Sequence, residues 1–397
     1  MNTITLKIKS FVSLSIIFTL FLFYSNSYPQ YEKKGNEKSI DVSGFYDSAH
    51  HWKDITDHEQ FIVMLPNQKH YKPTQVKEIA DNILLYQQKN GGWPKNYDML
   101  AILTPEQKAI LKEGRDSLRT TFDNGATHSQ IEYLAKAYTI LKDKRYADAA
   151  IKGIKFILKA QYPNGGWPQF YPDTSGYRKY ITFNDDAMTD VMNVLHHIVK
   201  GSHDYSFVNN SLREKVIRAF WKGVDCILKC QIKEDGKLTV WCQQHDNIDL
   251  HPRGARTFEL PSKCGEESCG IVLLLMSIQH PNKAIIKSVK GAVNWFKDSE
   301  LHGIKVKRIK APKIVFKYRT SVTDKIVVKD PSAPPIWARF YTLKGNKPFF
   351  SDRNGIPVDT LSRVGRERRD GYTWYTYAPH EVLNKFPEWL NKIGKKE

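Results

Sequence analysis

The chain is short of cysteine, short of acid and free of any long apolar run. Its 397 residues include five cysteines, an odd number that cannot pair completely into disulfides. Cys226 and Cys230 stand one helical turn apart, a spacing that suits neither an ordinary disulfide nor a Cys-x-x-Cys zinc site. Buried apolar thiols are therefore expected, with Cys242 and Cys264 the pair for one optional bridge after export. No Gly-x-Ser-x-Gly, P-loop or Gly-x-Gly-x-x-Gly occurs in a usable context, which argues against an esterase elbow, a nucleotide triphosphatase and a dinucleotide enzyme. Acids number 42 against 60 lysines and arginines, a formal net charge of +18. A chain this basic is expected to meet something anionic. No nucleic-acid motif is present, so an acidic polysaccharide is the better partner. A solvated lysine-rich surface accounts for many of the remaining lysines.

The apolar segment from Phe11 to Phe23 is shorter than the ~20 residues a spanning helix requires. Lys7 and Lys9 precede it and Ser25-Asn26-Ser27 follows it, the order of a secretion signal. Residues 1–27 are read as that signal, 28–45 as a polar linker and 46–397 as one catalytic domain. The protein is expected to be secreted or periplasmic, monomeric, and without stable membrane association once the signal is removed. No cysteine follows the apolar run, which argues against a lipid anchor.

What the chain does have is a repeat. Asn90-Gly91-Gly92-Trp93-Pro94 recurs as Asn164-Gly165-Gly166-Trp167-Pro168, and Trp241 marks a degraded third copy at the same interval of 74 residues. After each comes Thr-Phe and a polar residue: Thr121-Phe122-Asp123, Thr182-Phe183-Asn184 and Thr257-Phe258-Glu259. Helical periodicity is read over 74–88, 123–141, 146–161, 185–200, 212–231, 266–278, 283–298 and 379–393. The second, fourth and sixth of these are expected to start just after a Thr-Phe tripeptide. Helix pairs at a steady period predict an all-α dominated fold, an α/α toroid with long irregular loops gathered on one concave face and a few short strands. Residues 300–380 break the pattern; Ile304 to Phe316 alternates as short strands do, and the remainder reads as a long ordered lid.

Asp123-Asn124 and Asp185-Asp186 open successive units. Their oxygens suit a calcium site or the acid and base of a glycosidase, and equally the plain capping of two helices. Lys95, Arg256, Arg339 and Arg353 lie in Gly-, Pro- and aromatic-rich loops, where a planar guanidinium grips a carboxylate in two-pronged fashion; each serves as well for a loop-pinning salt bridge. Trp93, Tyr97, Trp167, Tyr171, Trp241, Trp337, Tyr341, Tyr372 and Trp374 are either sugar-stacking rings or, for the Gly-Gly-Trp copies above all, indoles locked in the core. The histidines match no metal spacing.

Five segments, Asn90 to Asn96, Thr121 to His128, Ile181 to Met188, Ala255 to Ser262 and Pro334 to Tyr341, together resemble the pectate lyases of polysaccharide lyase family 10. The resemblance runs from about residue 70 to 380. It implies an (α/α)3 toroid, secretion, Ca²⁺, and anti β-elimination on polygalacturonate to 4,5-unsaturated products. It places Asp123, Asn124 and Asp185 at calcium and substrate positions and Arg256, with Asp123, at the catalytic centre, Arg256 as Brønsted base. Lys95, Arg339, Arg353 and Tyr341 fall at substrate-binding positions. The chain departs from the family pattern at Lys263-Cys264-Gly265. Arginine is an unexpected base, since its guanidinium stays protonated in nearly all proteins; Ca²⁺ and other cations beside it are expected to lower its pKa. The alternative is a glycoside hydrolase on the same scaffold, working through Asp123 and Asp185.

Overall fold

The computed structural model describes residues 39–54 and 60–394; the signal and most of the linker lie outside them. Three helical hairpins build the core. Helix α4 (His128–Leu141) packs on α5 (Lys144–Ala160), α6 (Ala187–Val199) on α7 (Asn210–Cys230), and α8 (Glu267–Ser277) on α9 (Lys283–Asp298). The first members, α4, α6 and α8, neighbour one another in an inner ring, and α5, α7 and α9 lie outside. Sequence dictates the split. Inner helices are apolar nearly all round, as Met188, Val191, Met192 and Leu195 of α6 illustrate. Outer helices are amphipathic, so α5 buries Ala150, Ile154 and Ile157 and gives its lysines to solvent. Helix α2 (Val76–Tyr86) flanks α4 and α5, and α11 (Pro379–Gly394) flanks α8 and α9. The arrangement is an (α/α)3 toroid.

The repeat is the fastening of this ring. The indole N–H of Trp93 donates to the carbonyl of Ile83, that of Trp167 to Ile157 and that of Trp241 to Ile227, at 2.7–2.9 Å. A fourth, Trp337, does the same to Phe296 at 2.7 Å. All four rings are fully buried. Gln87, Gln161 and Gln231 follow α2, α5 and α7, and each side-chain amide donates to a carbonyl on the next outer helix: Ala149, Ala219 and Ser288. Gly91 and Gly165 both sit at φ 97°, and a Cβ on either would meet the backbone oxygen of Lys152 or Lys222 within 2.5 Å. Only glycine lets the turn approach the neighbouring helix so closely. The third copy lacks the Gly-Gly pair because a small strand pair, Lys233–Glu234 with Lys237–Leu238, makes the turn there through Asp235-Gly236.

Several expectations are corrected. Helices α1 (Tyr46–Asp54) and α3 (Pro105–Glu113) were not foreseen, although Thr104 and Gln107 form a reciprocal capping box at the start of α3. The assigned linker ends early, since Ile40, Val42 and Phe45 are buried in the core. Residues 304–329 form one long antiparallel hairpin, Ile304–Val315 with Thr320–Lys329, rather than short strands. It packs on the short helix α10 (Arg366–Gly371). All five cysteines are buried and unpaired.

Candidate active site

The residue two places after each core tryptophan is fixed by that ring. These residues are Lys95, Gln169, Gln243 and Arg339. The carbonyls of the last three accept from the chain entering the inner helices: Phe122 N–H to Gln169 at 2.9 Å, Phe183 N–H to Gln243 at 2.8 Å and Gly265 N–H to Arg339 at 2.8 Å. Their side chains therefore meet the polar residues just before α4, α6 and α8. Asp123 accepts from Lys95 Nζ and from Gln169 Nε2, each at 2.8 Å. Gln243 Nε2 donates to Asn184 Oδ1 at 2.8 Å and Glu267 Oε1 at 2.6 Å. Arg339 pairs with the same oxygen of Glu267, and lies 3.5 Å from Glu266 and 3.9 Å from Asp185.

Asp123 and Asp185 do not cap helices. Thr127 and Asp186 stand at the N-caps of α4 and α6, and neither makes a side-chain capping bond. The approach to each helix is instead held in the left-handed region, with Asn124 at φ 51°, Thr127 at 71°, Asp185 at 50° and Asp186 at 54°. For a β-branched threonine such a backbone is strained; it aims Asp123 and Asp185 at the site. Asp123 is buried, which alone would raise its pKa, but Lys95 and the Gln169 amide hold it below the usual carboxylate range. Desolvation in the cleft, with the nearby charge of Asp123, pushes Asp185 up to about 7, although its side chain is 35% exposed. Burial likewise pushes Glu266 to about 7, against the pull of Arg339.

Facing these acids is a bank of arginines on aromatic rings. The Phe258 ring carries the guanidinium groups of Arg256, Arg368 and Arg353 at 4.9, 5.0 and 5.7 Å. Tyr372 carries Arg339 at 4.6 Å. A cation over an aromatic face is held without losing its charge. Arg353 is bidentate to Glu367 (2.6 and 2.8 Å). Arg256 is bidentate to Glu259, whose Oε1 also accepts from the Tyr372 hydroxyl at 2.9 Å. Burial would lower the pKa of Arg256, yet Glu259 holds it well above the usual arginine value. Among the protein's own groups Glu259 outweighs the neighbouring cations, so Arg256 is a cation in this geometry.

The structure brings Lys95, Asp123, Asp185, Arg256, Arg339 and Arg353 to one region and leaves Tyr341 out. Tyr341 is 1% exposed, packs on Trp295, and donates its hydroxyl to the Ser299 carbonyl at 2.8 Å. It is a core residue because its short strand, Phe340–Tyr341, pairs with Lys263–Cys264 and sets the ring against Trp295. Asn124 is buried and its amide nitrogen is turned to Asn96 Oδ1 at 2.8 Å. Trp93, Trp167, Trp241, Trp337 and Trp374 are core rings. The third Thr-Phe tripeptide does not precede α8. Cys264 fills that place, its N–H on the Trp241 carbonyl as those of Thr121 and Thr182 are on Trp93 and Trp167. Phe258 was freed to become the arginine platform. Gln169, Asn184, Gln243, Glu259, Glu266, Glu267 and Arg368 were missed; the position two places after each tryptophan would have found Gln169 and Gln243.

Comparison with known proteins agrees with this geometry. A family described as pectic acid lyase matches residues 87–383. No curated protein sequence matches the chain. An aspartate-to-alanine mutant of a family 10 polysaccharide lyase from Cellvibrio cellulosa, solved in complex with trigalacturonic acid, is 32% identical with a TM-score of 0.69, covering 79% of this chain and 92% of that one. A second structure of the family 10 polysaccharide lyase from Cellvibrio cellulosa is 28% identical with a TM-score of 0.68, covering 90% and 99%. The chain belongs to the pectic acid lyase family, family 10 of the polysaccharide lyases.

Proposed function

We propose that the chain is an exported, calcium-dependent pectate lyase that cleaves polygalacturonate by anti β-elimination. The observation that carries this reading is the gathering of Asp123, Asp185, Glu266 and Glu267 around Lys95 and Arg339, facing a bank of arginines fixed on Phe258 and Tyr372. Trigalacturonic acid in the Cellvibrio relative supports the substrate class.

Carboxylates gathered at one place repel one another, and a divalent cation relieves that repulsion. Asp185 and Asp123 suit that role. Among the described residues no group of three or more His, Cys, Asp or Glu side chains is arranged to hold a metal, so substrate carboxylates would complete the coordination. Calcium, when bound, supplies charge neutralisation of a uronate carboxylate.

Arg339, Arg353 and Lys95 position the chain by its carboxylates and add to that neutralisation, which makes the proton on C5, α to the carboxylate, acidic enough to remove. The base takes that proton, the C4–O4 bond breaks with its electrons going to O4, and a C4–C5 double bond forms. Arg256 is the proposed base, on one condition: Glu259 must release its guanidinium in the substrate complex. A glycoside hydrolase would also want Asp123 and Asp185 at different pKa values, but it has no use for four arginines beside them.

The test is absorbance near ~235 nm from polygalacturonate, with and without chelator, as metal-assisted elimination requires. No unsaturated product at alkaline pH with calcium present sinks the proposal; reducing ends without absorbance would turn it to a hydrolase.

A further inference from the structure

The hairpin Ile304–Lys329 has no part in the chemistry above, yet it is the most cationic segment of the fold. Lys305, Lys307, Arg308, Lys310, Lys313, Lys317 and Arg319 fall in sixteen consecutive residues, 304–319, that contain no acid. Arg308 and Arg319 are paired to Asp370, and Lys305 to Asp330. Lys307, Lys310, Lys313 and Lys317 make no ion pair among the described residues, and all four are exposed. Between them the hairpin leaves Ile309, Ile314, Val315 and Val322 open to solvent, Val315 at 74%.

The tip of the hairpin leads into the site. The Tyr318 ring carries the guanidinium of Arg353 at 4.6 Å and the ammonium of Lys317 at 5.0 Å. Arg353 in turn lies over Phe258, beside Arg256 and Arg368. Cations and rings therefore run without a break from Arg256, through Phe258, Arg353 and Tyr318, to Lys317 and the lysines of the hairpin.

We infer that this hairpin is an auxiliary binding arm for the same acidic polysaccharide, engaging a chain that leaves the site past Arg353 and Tyr318. The inference rests on the lyase reading for the identity of the polymer. A uronate chain presents a carboxylate on every ring and apolar C–H faces between them. An extended ribbon of unpaired lysines interleaved with exposed aliphatic side chains matches both. Two other roles fit an exposed basic ribbon less well. Edge lysines also discourage strand pairing between molecules, and basic-apolar surfaces also bind anionic membranes; neither needs the tip to be tied to the arginines of the site.

The experiment uses the mature protein and the triple variants K307E/K310E/K313E and K307Q/K310Q/K313Q, which leave Lys317, Tyr318 and Arg319 in place. With charge reversal, KM for long polygalacturonate at low ionic strength rises about five- to tenfold, as expected for the loss of steering and screened attraction. The glutamine variant shows a smaller rise. Rates on short oligogalacturonates, which do not reach past Arg353, stay at the parent level, and added salt narrows the gap between parent and variant. Equal effects on long and short substrates, or no effect on either, would overturn the inference. So would loss of binding to phosphatidylserine vesicles with polymer kinetics unchanged, or a shift to oligomers alone. If the parent yields no unsaturated product at all, the lyase reading fails separately; retardation in a pectate-containing gel, stronger for the parent than for the glutamate variant, then still reports on the arm.

Discussion

Arg256 and Glu259 form a two-pronged pair, with Nε 2.8 Å from Oε2, and the Arg256 backbone N–H reaches the same oxygen at 3.1 Å. Glu259 is thus the residue that decides whether the guanidinium can lose a proton. Removing its charge in Glu259→Gln lowers the pKa of Arg256, so the rising limb of the pH–rate profile moves to lower pH by about one unit. Arg256→Lys keeps the charge and much of the pectate binding but loses the guanidine, and kcat falls by about a hundredfold or more. A kcat within tenfold of the parent for that lysine variant would show that Arg256 serves as a cation only. An unmoved limb in the glutamine variant would mean that Glu259 does not control the base.

Asp185 offers its carboxylate at the site with one short bond from its neighbour Asn184 and Arg339 at 3.9 Å. Asp185→Asn is expected to raise the calcium concentration for half-maximal rate by about tenfold or more, the scale on which loss of a charged ligand weakens calcium sites. The same substitution leaves the fold intact, since Asp185 caps no helix. Calcium titration of the chelated enzyme, read by unsaturated product, measures it. An unchanged calcium requirement would remove Asp185 from the ligand set.

The raised carboxyls also set a stability profile. A carboxyl whose pKa is about 7 when folded, above its unfolded value, binds protons more tightly in the folded state. Its contribution is therefore present in full below the unfolded carboxylate pKa and is lost as pH rises through about 7. Asp123 and Glu259, held low by Lys95 and Arg256 against burial, act in the opposite sense and lose their contribution only at lower pH. The chelated protein should lose thermal stability between about pH 4 and 7, and the slope should flatten in Asp185→Asn and Glu266→Gln. Melting curves without calcium measure this; a midpoint that climbs through that window would contradict the assignment.

Much of this was legible in the sequence, for a physical reason. The tryptophan turn has to dock on the preceding helix in every unit, so Trp93 and Trp167 kept their glycines and their spacing, and the helix pairs could be counted from them. The same regularity misled at the third unit. Thr257-Phe258-Glu259 looks like its predecessors, yet the structural counterpart is Cys264, recognisable only by its hydrogen bond to Trp241. Glu267 was not legible because its role comes from distant partners, Gln243 and Arg339, that only the folded chain brings near. Tyr341 failed as a site residue because its short strand pairs with Lys263–Cys264 and its hydroxyl is taken by the Ser299 carbonyl, contacts between segments far apart in the chain.

The glutamine links between outer helices give the last prediction. Gln161 Nε2 donates to the carbonyls of Gly165 and Ala219 at 3.0 and 2.8 Å, and Gln87 and Gln231 make the same two-carbonyl contact in the adjoining units. Gln161→Ala leaves both carbonyls without that donor, at a cost of about 2–4 kcal/mol. Gln161→Glu is expected to be at least as harmful, because it turns an ionised acceptor toward two acceptors. Urea unfolding should show a lower midpoint with an unchanged slope, since the surface exposed on unfolding stays the same. Turnover on polygalacturonate below the transition should match the parent, because Gln161 joins α5 to α7 behind the ring of Trp167 and touches none of the charged groups of the site. A stability loss under about 0.5 kcal/mol would mean that water replaces the amide and that the repeat is fastened by its tryptophans alone.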